Sequence, residues 1–437
     1  MSNKNVFVVG FMLFAMFFGA GNLIFPPGLG FVSGEHFWLA ILGFVITGVG
    51  LPLLGVIVGS ISKEGYKESL KAIHPAFAIG LLVVIYLTIG PFFAIPRTAT
   101  TAYEMSLIPF LDSPGALALF VFSLIYFIIV FALSWNPGTI ADSIGKVLTP
   151  LLLISILLLV GTAIVMYISN PVNPVGESFN ADAAFPAGFQ EGYLTMDAIA
   201  AIAFSVIVLN AIRATGVTDR KSLLFGTIKS ASLAALLLGL VYVSLGWLGN
   251  RVDLAGTVPD EQNLGTFLLT FISTDAYGGF GAILLGVIVL LACVTTGTGL
   301  IVAVSEYFNS ILPKISYRVF VIVFTLISFL LANQGLDQVI TTSVPVLSII
   351  YPIAMAAVLL LIFSYFVPSP RIALQIPIVL IGITSILAVV HRNEWADFSF
   401  MEAMPLFETS FEWIPLLIIG YIIGYLIGMK KEKVSYT

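Results

Sequence analysis

Six polar side chains stand inside long apolar runs of this sequence: Asn22, Arg97, Asp197, Ser205, Thr295 and Thr296. Their types limit the chemistry open to them. An amide, a guanidinium, a carboxylate and hydroxyls hold ions and zwitterions through charge and hydrogen bonds. Bond-making chemistry needs other pairings, such as a carboxylate cluster or a nucleophile beside a base. The carboxylates in the runs are isolated, Cys293 is the only cysteine and has no histidine near it, and His36, His74 and His391 are too scattered for a metal set. The residues therefore point away from an enzyme and from a bound cofactor. A passive pore would need a filter-like loop, and none is visible.

The spacing around these residues is informative. Gly19-Ala20-Gly21-Asn22 is followed by Pro26-Pro27-Gly28. Counted from Val6 at helical rise, the stretch lies about 20 Å along its helix, near mid-membrane. Glycines let the backbone leave the helix there, and the freed N–H and C=O groups need polar partners away from water. A substrate carboxylate or a bound cation would supply them; close helix packing through small residues is the alternative. Cys293-Val294-Thr295-Thr296-Gly297-Thr298-Gly299 sets two adjacent hydroxyls at mid-span. They suit a hard monovalent cation, although Ser and Thr in membrane helices also bond back to the carbonyl four residues earlier. Gly90-Pro91-Phe92-Phe93-Ala94-Ile95-Pro96-Arg97 carries a charge into the third run. A charge at the bilayer centre costs roughly 2.5–3.5 kcal/mol on insertion scales and is rarely idle. Arg97 and Asp197 both lie towards the outer side, so they could pair as an outer gate; snorkelling of Arg97 to the headgroups is the alternative.

The elements that must position these groups follow from composition. Of 437 residues, 59% are hydrophobic and 9% charged, against about 25% charged in a soluble domain. That excludes a disordered chain, a coiled coil, a nucleic-acid binder and almost any soluble enzyme, and marks an all-α integral membrane protein in a lipid bilayer. Twelve apolar windows are long enough to span: about 6–33, 36–61, 77–104, 115–135, 145–169, 191–213, 223–249, 279–308, 317–333, 338–366, 371–391 and 411–429. The first resembles a signal peptide in isolation; followed by eleven more, it reads as a retained helix. Lys and Arg fix the orientation. With both termini cytoplasmic, Lys4, Lys63, Lys67, Lys71, Lys146, Arg213, Arg220, Lys221, Lys229, Lys314, Arg318, Arg371, Lys430, Lys431 and Lys433 lie inside, leaving Arg97, Arg251 and Arg392 outside. Residues 261–274 place Leu264, Phe267, Leu268, Phe271 and Ile272 on one helical face, with Asp260 as cap. This amphipathic helix lies either across the outer mouth or on lipid headgroups.

Gly90-Pro91-Phe92-Phe93-Ala94-Ile95-Pro96-Arg97-Thr98-Ala99-Thr100 resembles the signature of the branched-chain amino-acid:cation symporter family. Met16-Phe17-Phe18-Gly19-Ala20-Gly21-Asn22-Leu23-Ile24-Phe25-Pro26-Pro27 and the run from Asp197 to Arg213 are similar to that family too. The resemblance extends from residue 5 to about 430 and implies a LeuT-like fold within the amino acid–polyamine–organocation superfamily. In one domain, 1–437, it implies an inverted five-plus-five repeat (6–169 and 191–366) and two further helices (371–429). It implies uptake of leucine, isoleucine and valine across the bacterial cytoplasmic membrane, coupled to sodium, with protons as the alternative ion. Gly19, Ala20, Gly21 and Asn22 would meet the substrate carboxylate, and span 6 carbonyls the ammonium. Ser205 would stand in for a span 6 hydroxyl. Phe92 and Phe204 would wall the apolar tail, although packing or lipid would suit both. Backbone carbonyls of Ala15 and Phe18 with Thr295 and Thr296 would hold a sodium ion. Span 6 departs from the family of folds in lacking a glycine between 193 and 215, so its break is expected from symmetry alone.

Overall fold

A computed structural model describes residues 1–60, 65–136, 141–177, 179–254, 262–429 and 433–434, with only the backbone of 141–149, 151–152 and 433–434. Helices dominate. The first half contains α1 (Asn3–Phe17), α2 (Ala20–Ser33), α3 (Phe37–Val45), α4 (Leu51–Gly59), α5 (Tyr66–Ser69), α6 (Pro75–Leu87), α7 (Ala94–Ser106), α8 (Ala116–Ser134) and α9 (Ala141–Tyr167). Then come α10 (Ala184–Tyr193), α11 (Asp197–Ala214), α12 (Arg220–Arg251), α13 (Leu264–Tyr277), α14 (Gly279–Ile311), α15 (Tyr317–Ala332), α16 (Leu336–Phe366), α17 (Arg371–Arg392) and α18 (Trp413–Gly428). One short ladder departs from the all-α expectation: β1 (Ser369–Pro370) pairs antiparallel with β2 (Lys433–Val434). Among the described residues, eight helical stretches are long and apolar enough to cross a membrane. Their outer faces and that of α9 carry exposed Leu117, Leu157, Val165 and Phe280, a pattern suited to lipid.

The first window is two helices. α1 ends at Phe17, and Phe18 is extended at φ −71°, ψ 93°. Gly19 is extended too, and Asn22 Oδ1 accepts its N–H at 3.0 Å, so the side chain caps the start of α2. Pro26 and Pro27, inside α2, withdraw the N–H groups that would bond the carbonyls of Asn22 and Leu23.

The sixth window begins earlier than expected, at Ala184, and is also broken: α10 stops at Tyr193 and α11 starts at Asp197. No glycine makes this break. Met196 takes the left-handed conformation at φ 65°, which costs a non-glycine residue on the order of 1 kcal/mol or more. Surrounding packing must hold it there.

Glycines do set the contacts that carry these broken helices. A Cβ on Gly30 of α2 would collide with the Gly246 carbonyl of α12. A Cβ on Gly188 of α10 would collide with the Ala40 carbonyl of α3. Such backbone-to-backbone approach is the usual role of small residues between membrane helices.

Between α6 and α7 the chain passes through a π turn with non-helical Gly90. The amphipathic helix forms as α13, capped by Asn263, whose Oδ1 accepts from Gly265 N at 3.0 Å. The expected cap, Asp260, lies outside the described residues. α13 packs on α2 and α14, with Leu268 and Ile272 fully buried. It therefore rests on protein.

Candidate functional site

The two breaks face one another. Asn22, in the first turn of α2, donates from Nδ2 to Asp197 Oδ2 at 2.6 Å. Asp197 opens α11, where a helix N-terminus favours a carboxylate. Tyr242 of α12 completes the cluster: its hydroxyl donates to Asp197 Oδ2 at 2.8 Å and also accepts from Asn22 Nδ2. All three side chains are buried.

Arg97 lines the same space. Its Nη1 donates to the Leu194 carbonyl, and its Nη2 to the Thr195 carbonyl at 3.3 Å. These are the carbonyls exposed by the break between α10 and α11. The guanidinium sits 5.3 Å from the centre of the Phe25 ring, a favourable cation–π arrangement. Gly21 permits this approach, because a Cβ there would be 2.7 Å from Nη2.

Between these groups is a cavity of about 40 Å³, room for a few waters. Its polar lining includes Asn22, Arg97, Thr98, Thr195, Asp197 and Thr296. Its apolar lining includes Met16, Phe17, Ile89, Phe204 and Leu300. Phe17 and Phe204 meet at 5.8 Å between ring centres, forming one wall. An amphiphilic space of this kind orients a small molecule with a charged head and an apolar tail.

Of the residues singled out from sequence, Gly19, Ala20, Gly21, Asn22, Arg97, Asp197, Phe204 and Thr296 line this cavity. Others do not. Phe92 is 39% exposed and points away from the core. Ser205 gives its hydroxyl to the Ile202 carbonyl at 2.9 Å and packs tightly on Gly59, where an added Cβ would collide with it. Thr295 bonds back to the Leu291 carbonyl at 2.8 Å, so the two adjacent hydroxyls diverge. Successive helical side chains are turned about 100° apart, and only one can face the cavity. Ala15 and Phe18 are not in the lining either; the Phe18 ring stacks on Phe14 at 5.1 Å.

The expected Arg97–Asp197 ion pair is not formed. The ion pairs among the described residues are His36–Glu35, His391–Asp397, His391–Glu402 and Arg392–Glu412. Arg97 instead binds the broken backbone, whose carbonyls are closer and equally in need of donors.

Tyr242 was not among the residues singled out from sequence. Its signal was the same as that of Asn22, since a phenol inside an apolar run must find a partner. Glu104, near the C-terminal end of α7, was also missed. This buried carboxylate accepts from Asn263 N at 2.9 Å and from the Thr266 hydroxyl, fastening the start of α13.

The family model described as "Branched-chain amino acid transport protein" matches residues 2–431. A putative branched-chain amino acid carrier protein of Staphylococcus saprophyticus is 53% identical over 439 residues, covering 99% of this chain and 98% of the relative. One from Staphylococcus aureus is 50% identical over 443 residues, covering 99% of each. Among solved structures, Mhp1, a nucleobase-cation-symport-1 family transporter in a closed conformation with bromovinylhydantoin bound, matches with a TM-score of 0.62 at 15% identity. That match covers 97% of this chain and 92% of Mhp1. The Eremococcus coleocola manganese transporter matches at 0.59 and 15% identity, covering 99% and 96%. At such identities the likeness is one of fold alone.

Proposed function

The chain belongs to the branched-chain amino acid transport protein family, and from that premise we propose that it imports leucine, isoleucine and valine with a sodium ion by alternating access. The observation that carries this reading is the cavity between the two helix breaks, whose lining combines the charged Arg97 and Asp197 with apolar Phe17, Phe204 and Leu300. The N-terminus of α2 presents free N–H groups to a substrate carboxylate, and the apolar wall takes the branched tail. At about 40 Å³ the cavity is far below the roughly 300 Å³ or more of ordinary small-molecule sites. The breaks must part to admit substrate, as a carrier requires.

We further infer twelve spans in an inverted repeat, with both termini in the cytoplasm. The packing supports the repeat: α1 and α2 lean on α12, while α10 and α11 lean on α3 and α4. This is the exchange of partners expected if spans 1 and 6, and spans 2 and 7, are equivalent. The excess of Lys and Arg on one side supports the orientation, and the bacterial cytoplasmic membrane is the site of action.

Sodium is favoured over protons by Thr296, a hydroxyl-bearing residue that lines the cavity from α14 beside the break at Gly19; a Cβ on Gly19 would lie 3.5 Å from Thr296 Cγ2. An ion bridging span 1 and span 8 would bias one conformation, and that bias is the coupling. Labelled-leucine uptake into vesicles, with sodium and pH gradients imposed separately, tests both parts. Uptake driven only by the pH gradient refutes sodium coupling. No leucine uptake under either gradient refutes the substrate.

A further inference from the structure

The cavity contains a carboxylate without an ion-pair partner. Asp197 is 3% exposed. Its two hydrogen-bond donors at Oδ2, the Asn22 amide and the Tyr242 hydroxyl, are both neutral. No ion pair among the described residues includes it. Arg97, the other charged residue in the lining, directs two nitrogens at the carbonyls of Leu194 and Thr195, and its Nε is buried without a partner. An ionised carboxylate held away from water needs a counter-charge, because neutral donors replace only part of its hydration. Arg97 favours the Asp197 charge from within the same lining, but it makes no direct contact with the carboxylate, so Asp197 can still take a positive group.

Two features decide what that group is. The break carbonyls that could have received an ammonium, those of Leu194 and Thr195, are already taken by Arg97. Asn22 turns its nitrogen towards Asp197, since its Oδ1 is held by the Gly19 N–H. A hard metal cation wants a shell of several oxygens, whereas an ammonium needs only a few acceptors for its N–H groups. We propose that Asp197 receives the α-ammonium of the transported amino acid, with Asn22 and Tyr242 positioning the carboxylate. Asp197 then makes the protein select α-amino acids over the corresponding carboxylic acids, since a ligand without the ammonium leaves the carboxylate buried and unpaired. This inference rests on the amino-acid carrier reading above.

The test uses purified full-length protein and the ligand-dependent rise in melting temperature, which needs no labelled tracer. The probes are leucine and 4-methylpentanoate, which is leucine without its amino group. Wild-type protein should bind leucine about a hundredfold or more tightly than 4-methylpentanoate. Asp197→Asn should weaken leucine by a similar factor and bring the two ligands within about tenfold of each other. Asp197→Glu, which keeps the charge, should keep the preference. The proposal is overturned if Asp197→Asn retains the wild-type ratio, even with an altered sodium dependence. It is also overturned if wild-type protein binds both probes equally, a comparison that stands even where a variant fails to fold. Wild-type protein that does not respond to leucine at all would instead remove the carrier reading itself.

Discussion

Gly21→Ala isolates the contact between the first helix break and Arg97. The added Cβ would lie 2.7 Å from Arg97 Nη2, 3.0 Å from Cζ and 3.1 Å from Phe25 Cε2. The guanidinium must retreat by several tenths of an ångström to reach ordinary contact. It is not free to do so, because Nη1 and Nη2 donate to the Leu194 and Thr195 carbonyls and the ring of Phe25 lies against it. A hydrogen bond from a charged group contributes about 1.5–3 kcal/mol. Losing one therefore weakens the assembled site by about tenfold to a hundredfold, at about 1.4 kcal/mol per decade. The fold should hardly suffer, since alanine is favoured over glycine in a helix by about 1 kcal/mol. Leucine uptake by vesicles carrying equal amounts of folded protein measures the effect, with Gly80→Ala as control because nothing lies within 4 Å of a Cβ at Gly80. The expected result is a leucine KM raised at least about tenfold in Gly21→Ala and unchanged in Gly80→Ala. A Gly21→Ala variant with wild-type expression and a KM within about twofold of wild type would refute the argument that Arg97 and the break form one unit.

Three further outcomes follow from the same geometry. Thr296→Ala should raise the sodium concentration for half-maximal uptake, whereas Thr295→Ala, whose hydroxyl is committed to the Leu291 carbonyl, should not; equal effects would place the ion elsewhere. Ser205→Ala should leave leucine uptake within about twofold of wild type, because the hydroxyl only bonds back within its own helix. A larger loss in initial-rate assays would return Ser205 to the site. Glu104→Ala removes the acceptor for Asn263 N and the Thr266 hydroxyl, and should destabilise the protein by about 1–3 kcal/mol. A lower melting temperature checks it, and an unchanged one would mean that α13 is held by its apolar face alone.

Much of the architecture was legible in the sequence because lipid imposes a simple rule. A backbone without water must bond to itself, so long apolar windows become helices wherever they occur. The break between Phe17 and Ala20 was legible too, through Gly19 and Asn22, because glycine and a capping amide are local signals. The break before Asp197 was not: Met196 adopts its left-handed conformation under tertiary packing, against its own preference.

The site divides along the same line. Composition and spacing alone determined that this is a helical membrane protein, and that the few polar residues at depth are the candidates for function, since each is expensive in apolar surroundings. Which of them meet was decided only by the tertiary structure. Asn22, Asp197 and Tyr242 are far apart in sequence and converge because three helices cross there. Thr295 and Thr296 are adjacent and diverge because the helix turns between them. Arg97 could have paired with Asp197 by charge, yet it binds the carbonyls of Leu194 and Thr195. Attraction between charges can be read from residue types, but the competition among nearby acceptors depends on distances that only the folded chain sets.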